Sequence, residues 1–181
     1  MARMHTAVFI AAVFAGTACG CGYTTSSLLP AEFKSITVEN FTNRISVTDE
    51  TSDQRMYKGY RPGLENDVTR AIVDRYIFDG NLRIAKKELA DLVLKGELLD
   101  YRREALRYDT NDNVEEYRLR IVVSLELKNA RTGDVVWTEK AFSGEATYRT
   151  SGSLAQGEST AIKDAVSDLA RRVVERTIEG W

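Results

Sequence analysis

Residues 117 to 127 alternate between apolar and polar side chains, and this pattern constrains the fold more than any other feature. A period of two is typical of a strand with one face in the core and one in water. A turn at 129–133 and the apolar segment 135–142 predict an antiparallel partner. The odd-numbered face, which another layer has to cover, consists of Tyr117, Leu119, Ile121, Val123, Leu125 and Leu127.

Two segments with apolar residues at helical spacing can supply that layer. The first helix is predicted at 63–79, with Pro62 at its start and Gly80 as its C-terminal stop. Its apolar stripe consists of Leu64, Val68, Ala71, Ile72 and Tyr76. A second, long helix follows Ser153 and Gln156, whose spacing has the form of a capping box. Its apolar stripe consists of Ala161, Ile162, Ala165, Val166, Leu169, Val173 and Thr177.

Three further segments, 35–41, 82–84 and 92–98, have the composition of strands. Two amphipathic helices and a half-buried sheet remove each other's apolar surface from water when they pack as two layers. The sequence therefore predicts an α+β fold, with a mostly antiparallel sheet of about four strands and both helices packed on one face.

Residues 1–20 have the features of a lipoprotein signal peptide. Arg3 gives a positive start, and the apolar run 7–15 is far shorter than the ~20 residues that span a bilayer. Small residues then lead to Cys21, the predicted lipidation site, whose thiol and new amino group would carry acyl chains. Cys19 is the alternative acylated residue. An ordinary cleaved signal with two incidental cysteines, or with a disulfide, is the other interpretation.

The remainder of the chain has the length of one domain. We expect 21–34 to be a lipidated N-terminus and tether and 35–181 to be a single α+β domain. Within it, 46–60 is predicted to be a long polar loop, which in a compact domain is either functional or mobile.

The net charge and the types of residue present exclude several classes of function. The formal net charge is -2, without the basic surplus of a nucleic-acid-binding protein. The only histidine, His5, lies in the signal, and Cys21 is the predicted acylated residue. The mature chain then lacks the usual general base, thiol nucleophile and zinc ligands. We expect no enzymatic activity, no cofactor and no metal, and a carboxylate-dependent hydrolase is the remaining enzyme class.

The segment 109–113 resembles the start of an EF-hand loop. Asp109, Asn111 and Asn113 have the spacing of its first ligands, but Val114 replaces the glycine and Arg120 the final glutamate. We therefore interpret it as an Asx-rich turn between strands.

The densest basic cluster is Arg102, Arg103 and Arg107, and Arg118 lies on the polar face of the next strand together with Arg120. Arginines interleaved with tyrosines can bind phosphate or sugar-phosphate in a bidentate manner. The alternative is a solvated strand face with cross-strand ion pairs.

Several stretches in order along the chain resemble the LptE family of lipopolysaccharide-assembly lipoproteins. They are Cys21-Gly22-Tyr23, 38–44, 63–65, 90–97, 101–104 with 108–109, 114–119, 131–133 with Trp137, 142–144 and 152–155. The segment 46–60 departs from the family, where a short link is usual.

This resemblance implies a non-enzymatic lipoprotein anchored on the periplasmic side of the bacterial outer membrane. It would assist assembly of an LptD-like β-barrel, plug it and contact lipopolysaccharide, with Arg102, Arg103, Arg107 and Arg118 as the contact residues. The alternative is a periplasmic lipoprotein that regulates a peptidoglycan synthase.

Overall fold

The computed structural model describes residues 29–46, 51–52, 56–59 and 61–180. These residues form eight strands in one sheet and two α-helices. The strands are β1 (Ser35–Val38), β2 (Thr42–Asn43), β3 (Thr51–Ser52), β4 (Met56–Lys58), β5 (Arg83–Ile84), β6 (Leu92–Tyr108), β7 (Val114–Asn129) and β8 (Val135–Arg149). The helices are α1 (Leu64–Asp79) and α2 (Glu158–Glu179).

The long antiparallel strands β6, β7 and β8 form the body of the sheet. The odd-numbered residues of β7 face the core as predicted, and Leu119, Ile121 and Val123 are completely buried. A strand rises about 3.3 Å per residue, so these strands extend the sheet to roughly 50 Å.

Both helices pack on the face of the sheet that the odd-numbered residues of β7 occupy. Each predicted apolar stripe is buried in the same hydrophobic core as those residues, with Ala71 partly buried at its edge. At their C-terminal ends the Tyr76 hydroxyl of α1 donates a 2.7 Å hydrogen bond to Oγ1 of Thr177 in α2. The two-layer α+β prediction is confirmed. The hydrogen bond between their C-terminal ends holds the two helices side by side.

The prediction of about four mostly antiparallel strands is wrong in detail, because the sheet is mixed. β1 pairs in parallel with both β5 and β6, and β2 also pairs in parallel with β6. The connection from β1 to β5 includes helix α1, and a parallel pair requires a crossover of this kind. The two-residue strands β2 and β5 are too short to show a periodic pattern.

The segment 46–60 is not entirely loop, contrary to the sequence prediction. β3 and β4 pair in antiparallel fashion, and β4 continues the sheet beside Arg102–Glu104 of β6. β6 is much longer than the predicted 92–98, and β1, β2 and β4 pair in succession along its other edge. β4 therefore covers a stretch of β6 backbone that would otherwise form an open edge.

Helix α2 starts later than the capping box predicts. Gly157 is its N-cap, while Gly152 has a φ of 84° in a turn that includes Ser153. The backbone N–H of Gln156 donates a 3.0 Å hydrogen bond to the carbonyl of Arg149. Ser153–Gln156 therefore folds back onto the end of β8 instead of opening the helix.

Candidate functional site

The four predicted arginines lie on two faces of the sheet, and a β-bulge in β6 decides which of them face the helices. Leu94 and Leu98 point into the core, the register shifts between Leu98 and Asp100, and the next core residue is Tyr101. Side chains alternate again beyond the bulge. Arg102 therefore lies on the outer face of the sheet, away from the helices. Arg103, the next residue, lies on the face that the helices cover.

The outer face carries four arginines near the hairpin that joins β6 and β7. Strand registers pair Arg102 with Arg120, and they pair Glu104 with Arg118. Arg107 pairs with Glu116 after a second register shift. We call Arg102, Arg107, Arg118 and Arg120 the arginine face.

Acidic residues interleave with the arginine face. Nε of Arg118 lies 3.7 Å and Nε of Arg120 lies 2.7 Å from the carboxylate of Glu145. Nε of Arg107 lies 3.7 Å from Glu116. These are the cross-strand ion pairs of the alternative interpretation. Exposed pairs of this kind contribute about 0–1 kcal/mol, so an anionic partner can compete for them.

Arg102 differs from the other three residues of the arginine face because it contacts a buried carboxylate. Its Nε contacts Oδ2 of Asp100, whose side chain is only 8 % exposed. Among the described residues, Oδ1 of Asp100 has no hydrogen-bond partner. Removal of Arg102 would leave this buried charge without compensation, so Arg102 contributes to stability as well as to the arginine face.

Arg103 lies on the helix side, within an aromatic cluster, and is not part of the arginine face. Its Nη1 donates a 2.7 Å hydrogen bond to Oε2 of Glu158, in the first turn of α2. Its guanidinium lies 4.8 Å from the ring centroid of Tyr117 and 5.8 Å from that of Tyr57. The side chain is 25 % exposed, so Arg103 joins strands to helix and is poorly placed to meet a large ligand.

Glu158 accepts two more hydrogen bonds in this cluster. The Tyr101 hydroxyl donates over 2.9 Å and Nη1 of Arg61 over 3.3 Å, both to Oε1. Burial, and then the contact with Glu158, raises the pKa of Tyr101, which keeps its phenol protonated as a donor. One carboxylate thus links β6, α2 and the segment before α1.

Two basic residues of the outer face are missing from the predicted contact set. Arg120 shows the same alternation as Arg118, which is sufficient to find it. Lys58 of β4 pairs with Arg102 in register, but its segment was predicted to be a loop. Only the β4–β6 pairing brings Lys58 to this face, and no local pattern signals that pairing.

A groove of about 540 Å³ lies on the outer face. Its lining includes Lys95, Ser124 and Lys140, and Ser124 is four residues from Arg120 along β7, or roughly 13 Å. Nζ of Lys87 lies 2.7 Å from Oε1 of Glu39 at the margin of the groove. The hydrogen bond from Lys87, together with the charge of Lys95, lowers the pKa of the Glu39 carboxyl group. The groove and the arginine face thus lie next to each other on the outer face of the sheet.

The 109–113 segment is the predicted Asx turn. One carboxylate oxygen of Asp109 accepts the backbone N–H groups of Asn111 and Asn113 at 2.8 and 2.9 Å. The hydrogen bond from the Asn113 side chain, and then these two backbone bonds, lower the pKa of Asp109. The described residues contain no group of three acidic, histidine or cysteine side chains that could hold a metal ion.

Cys19 and Cys21 lie outside the described residues, so the lipidation site remains a prediction. Neither helix of the described part is long and apolar enough to cross a membrane. The first described residues, Leu29 and Phe33, already pack against the hydrophobic core.

Comparison with known proteins identifies the family. The family model described as LptE, lipopolysaccharide-assembly, matches residues 33–177. The chain belongs to the LptE family. The match runs from the residues before β1 to the last turns of α2, so the resemblance seen in the sequence is confirmed between residues 33 and 177, while Cys21-Gly22-Tyr23 lies outside the match. No curated protein matches the chain.

Several solved structures resemble this member of the LptE family. Protein XCC0632 from Xanthomonas campestris has a TM-score of 0.50 and 12% identity, covering 80% of this chain and 84% of that one. Rare lipoprotein B from Shewanella oneidensis has a TM-score of 0.42 and 17% identity, covering 80% and 90%. The PelC dodecamer from Paraburkholderia phytofirmans has a TM-score of 0.42 and 22% identity, covering 81% and 92%. At these identities the likeness concerns the fold alone.

Proposed function

We propose that this LptE-family protein is a non-enzymatic lipoprotein, anchored through Cys21 on the periplasmic side of the outer membrane. It binds an LptD-like β-barrel, assists its assembly and occupies its interior during lipopolysaccharide transport. The observation that carries the proposal is the family match over 33–177, which includes both helices and the long strands of the sheet.

The surface chemistry of the sheet supports this role. The lumen of an outer-membrane barrel is polar, whereas its outside is apolar. The outer face of β6–β8 is about 50 Å long and carries interleaved charges rather than an apolar patch. Such a surface can exchange its weak ion pairs for contacts with polar groups of a partner.

The arginine face gives the proposal a contact surface. Guanidinium groups bind phosphates and carboxylates in a bidentate manner, and salt screens the interaction. Arg107, Arg102 and Arg118 are its most accessible members, with side chains 56 %, 40 % and 37 % exposed. Because Arg102 also compensates the buried Asp100, Arg107 and Arg118 are the better residues to test. Lipopolysaccharide phosphates and acidic groups of the barrel present the same chemistry, and the experiment below separates them.

The test is recovery of the membrane-extracted protein in detergent, followed by mass spectrometry of its partners. A large outer-membrane barrel should be recovered with the wild-type protein. Recovery of a peptidoglycan synthase instead of a barrel would support the synthase-regulator alternative and contradict the proposal.

The double variant Arg107→Glu, Arg118→Glu then tests the surface. It should reduce barrel recovery or binding of purified lipopolysaccharide at least about tenfold, in line with the cost of reversing charges at a complementary interface. If only barrel recovery falls, the arginine face contacts the barrel. If only lipopolysaccharide binding falls, it contacts lipopolysaccharide. Arg70→Glu with Lys163→Glu makes the same charge change on exposed positions of the helices and should change neither. Unchanged binding by the Arg107/Arg118 variant would show that the arginine face is a solvated surface.

A further inference from the structure

Exposed apolar side chains are concentrated in one short stretch of the described chain. Ile77 and Phe78, in the last turn of α1, are 64% and 79% exposed. Ile84 of β5 is 37% exposed, and Leu89 is 76% exposed in a 3-10 turn just before β6. We call these four residues the 77–89 patch. Several large apolar side chains left exposed within one short segment are typical of a contact with a protein or a membrane.

The chain enters the domain beside this patch. The backbone N–H of Arg83 donates a 3.0 Å hydrogen bond to the carbonyl of Lys34, and Ser35 pairs with Arg83 in register. The Ser35 hydroxyl also lies 3.5 Å from the carbonyl oxygen of Leu89. The segment that comes from the N-terminus therefore runs directly alongside β5 and the 3-10 turn.

The length of the preceding chain limits the distance to a lipid anchor. Seven residues lie between Cys21 and Leu29, the first described residue, so eight steps along the chain join the two. An extended chain spans at most about 3.6 Å per residue, so this connection reaches no more than roughly 29 Å. An acylated Cys21 therefore holds the chain-entry end of the domain, and with it the 77–89 patch, near the bilayer.

The charges around the patch suit a lipid surface. Residues 77–89 contain Arg83, Lys86 and Lys87 against Asp79 and Glu88, with Lys87 already paired to Glu39. The guanidinium of Arg75 lies 5.1 Å from the ring centroid of Phe78. Apolar side chains with basic groups beside them are typical of segments that lie at a membrane interface, where the cations remain among the headgroups.

We propose that the 77–89 patch inserts its apolar side chains into the headgroup region of the membrane that holds the anchor. The acyl chains and the patch then form two contacts with one lipid surface, which fixes the orientation of the domain. This inference rests on the proposed acylation of Cys21, but it does not require the barrel partner.

The test uses the full, acylated chain in vesicles of phosphatidylethanolamine and phosphatidylglycerol with brominated acyl chains. Leu89→Trp places a fluorophore in the patch. Leu154→Trp is the matched control, because Leu154 is 70% exposed beside the other end of the sheet, after β8. Trp137 and Trp181 give the same background in both variants. Interfacial segments lie ~5–10 Å into the headgroup–acyl boundary, so bromine should quench the added tryptophan at 89 at least about twofold more than that at 154.

Equal quenching of the two variants in vesicles would overturn the inference. So would failure of the full chain to float with the vesicles, because the anchor would then be missing. If the tryptophan at 89 became shielded from solvent only when the barrel is present, the 77–89 patch would contact protein rather than lipid. This result would also overturn the inference. A twofold difference without any barrel recovery would leave the inference standing while the proposed function fails.

Discussion

Nη1 of Arg103 lies 2.7 Å from Oε2 of Glu158, and this contact joins strand β6 to the first turn of helix α2. Both side chains are less than a third exposed, so neither charge is fully solvated without the other. The contact makes Arg103 a residue of the domain's framework, although the sequence groups it with Arg102.

We expect Arg103→Met or Glu158→Gln to lower the free energy of unfolding by about 1.5–3 kcal/mol, the usual cost of losing a hydrogen bond to a charged group. The matched control is Arg171→Met, which removes two surface ion pairs within α2, with Asp168 and Glu175, and should still cost less than about 1 kcal/mol. Denaturant titrations measure all three. Equal, small losses for the Arg103 and Arg171 variants would contradict a stabilising role for this contact.

Ile121→Ala tests the core of the sheet. Ile121 is completely buried between β6 and β8 and beneath the helices, so the substitution should cost roughly 2–5 kcal/mol through lost burial and a cavity. Val122→Ala, on the partly exposed opposite face of the same strand, is the control and should cost less. Denaturant melts that show less than about 1 kcal/mol for Ile121→Ala would place this face in solvent.

Gly144→Ala tests the closest approach of helix and sheet. A Cβ atom at Gly144 would lie 2.5 Å from Cβ of Leu169 and 2.6 Å from the carbonyl oxygen of Ala165, so α2 would have to move away from β8. We expect a loss of about 1–3 kcal/mol, typical of overpacking. Ser143→Ala changes the neighbouring side chain without adding an atom in this space and should have little effect. A Gly144→Ala protein as stable as wild type would show that the layers can separate freely.

Cys21→Ala tests the anchor. The variant should move from the membrane to the soluble fraction after cell fractionation, because several acyl chains are what hold such a protein to a bilayer. Cys19→Ala is the matched control and should remain in the membrane fraction. Intact-mass measurement of the wild-type protein should show acylation at Cys21, and acylation at Cys19 would contradict the assignment.

The predictable parts of the structure are those whose physical signal is local. The alternation in β7 and the stripe of α1 are each repeated over many residues, so their burial follows from the sequence. The pairing of β4 with β6 has no such signal, because three residues cannot show a period and their partner is more than forty positions away. The bulge after Leu98 is equally invisible. Neighbouring strand residues always lie on opposite faces, but the bulge decides that Arg102 faces outward and Arg103 faces the helices. Register irregularities thus decided which predicted site residues come together.

Asp91 provides a pH-dependent test of the end where the chain enters. Its Oδ2 accepts the backbone N–H of Lys34 at 3.0 Å and the Ser35 hydroxyl at 2.8 Å, and its Oδ1 contacts Arg131 of the β7–β8 turn. The N–H of Lys34, then the Ser35 hydroxyl and Arg131, lower the pKa of Asp91 from 3.8 to about 2. A carboxyl group whose pKa is lower in the folded state stabilises the fold above its unfolded pKa. That stabilisation is lost as the pH falls from about 4 to about 2.

We therefore expect Asp91→Asn to lower the free energy of unfolding at pH 7 by about 1–3 kcal/mol, since Asn cannot replace the charge-assisted bonds. The difference from wild type should shrink as the pH falls through the same interval, because protonation removes the advantage of the wild-type carboxylate. Denaturant titrations across this range measure it. Asp164→Asn, at an exposed position of α2, makes the same charge change and should show a much smaller difference. If the difference in the free energy of unfolding between wild type and Asp91→Asn stayed constant down to about pH 2, the Asp91 side chain would act through its shape and not through its charge.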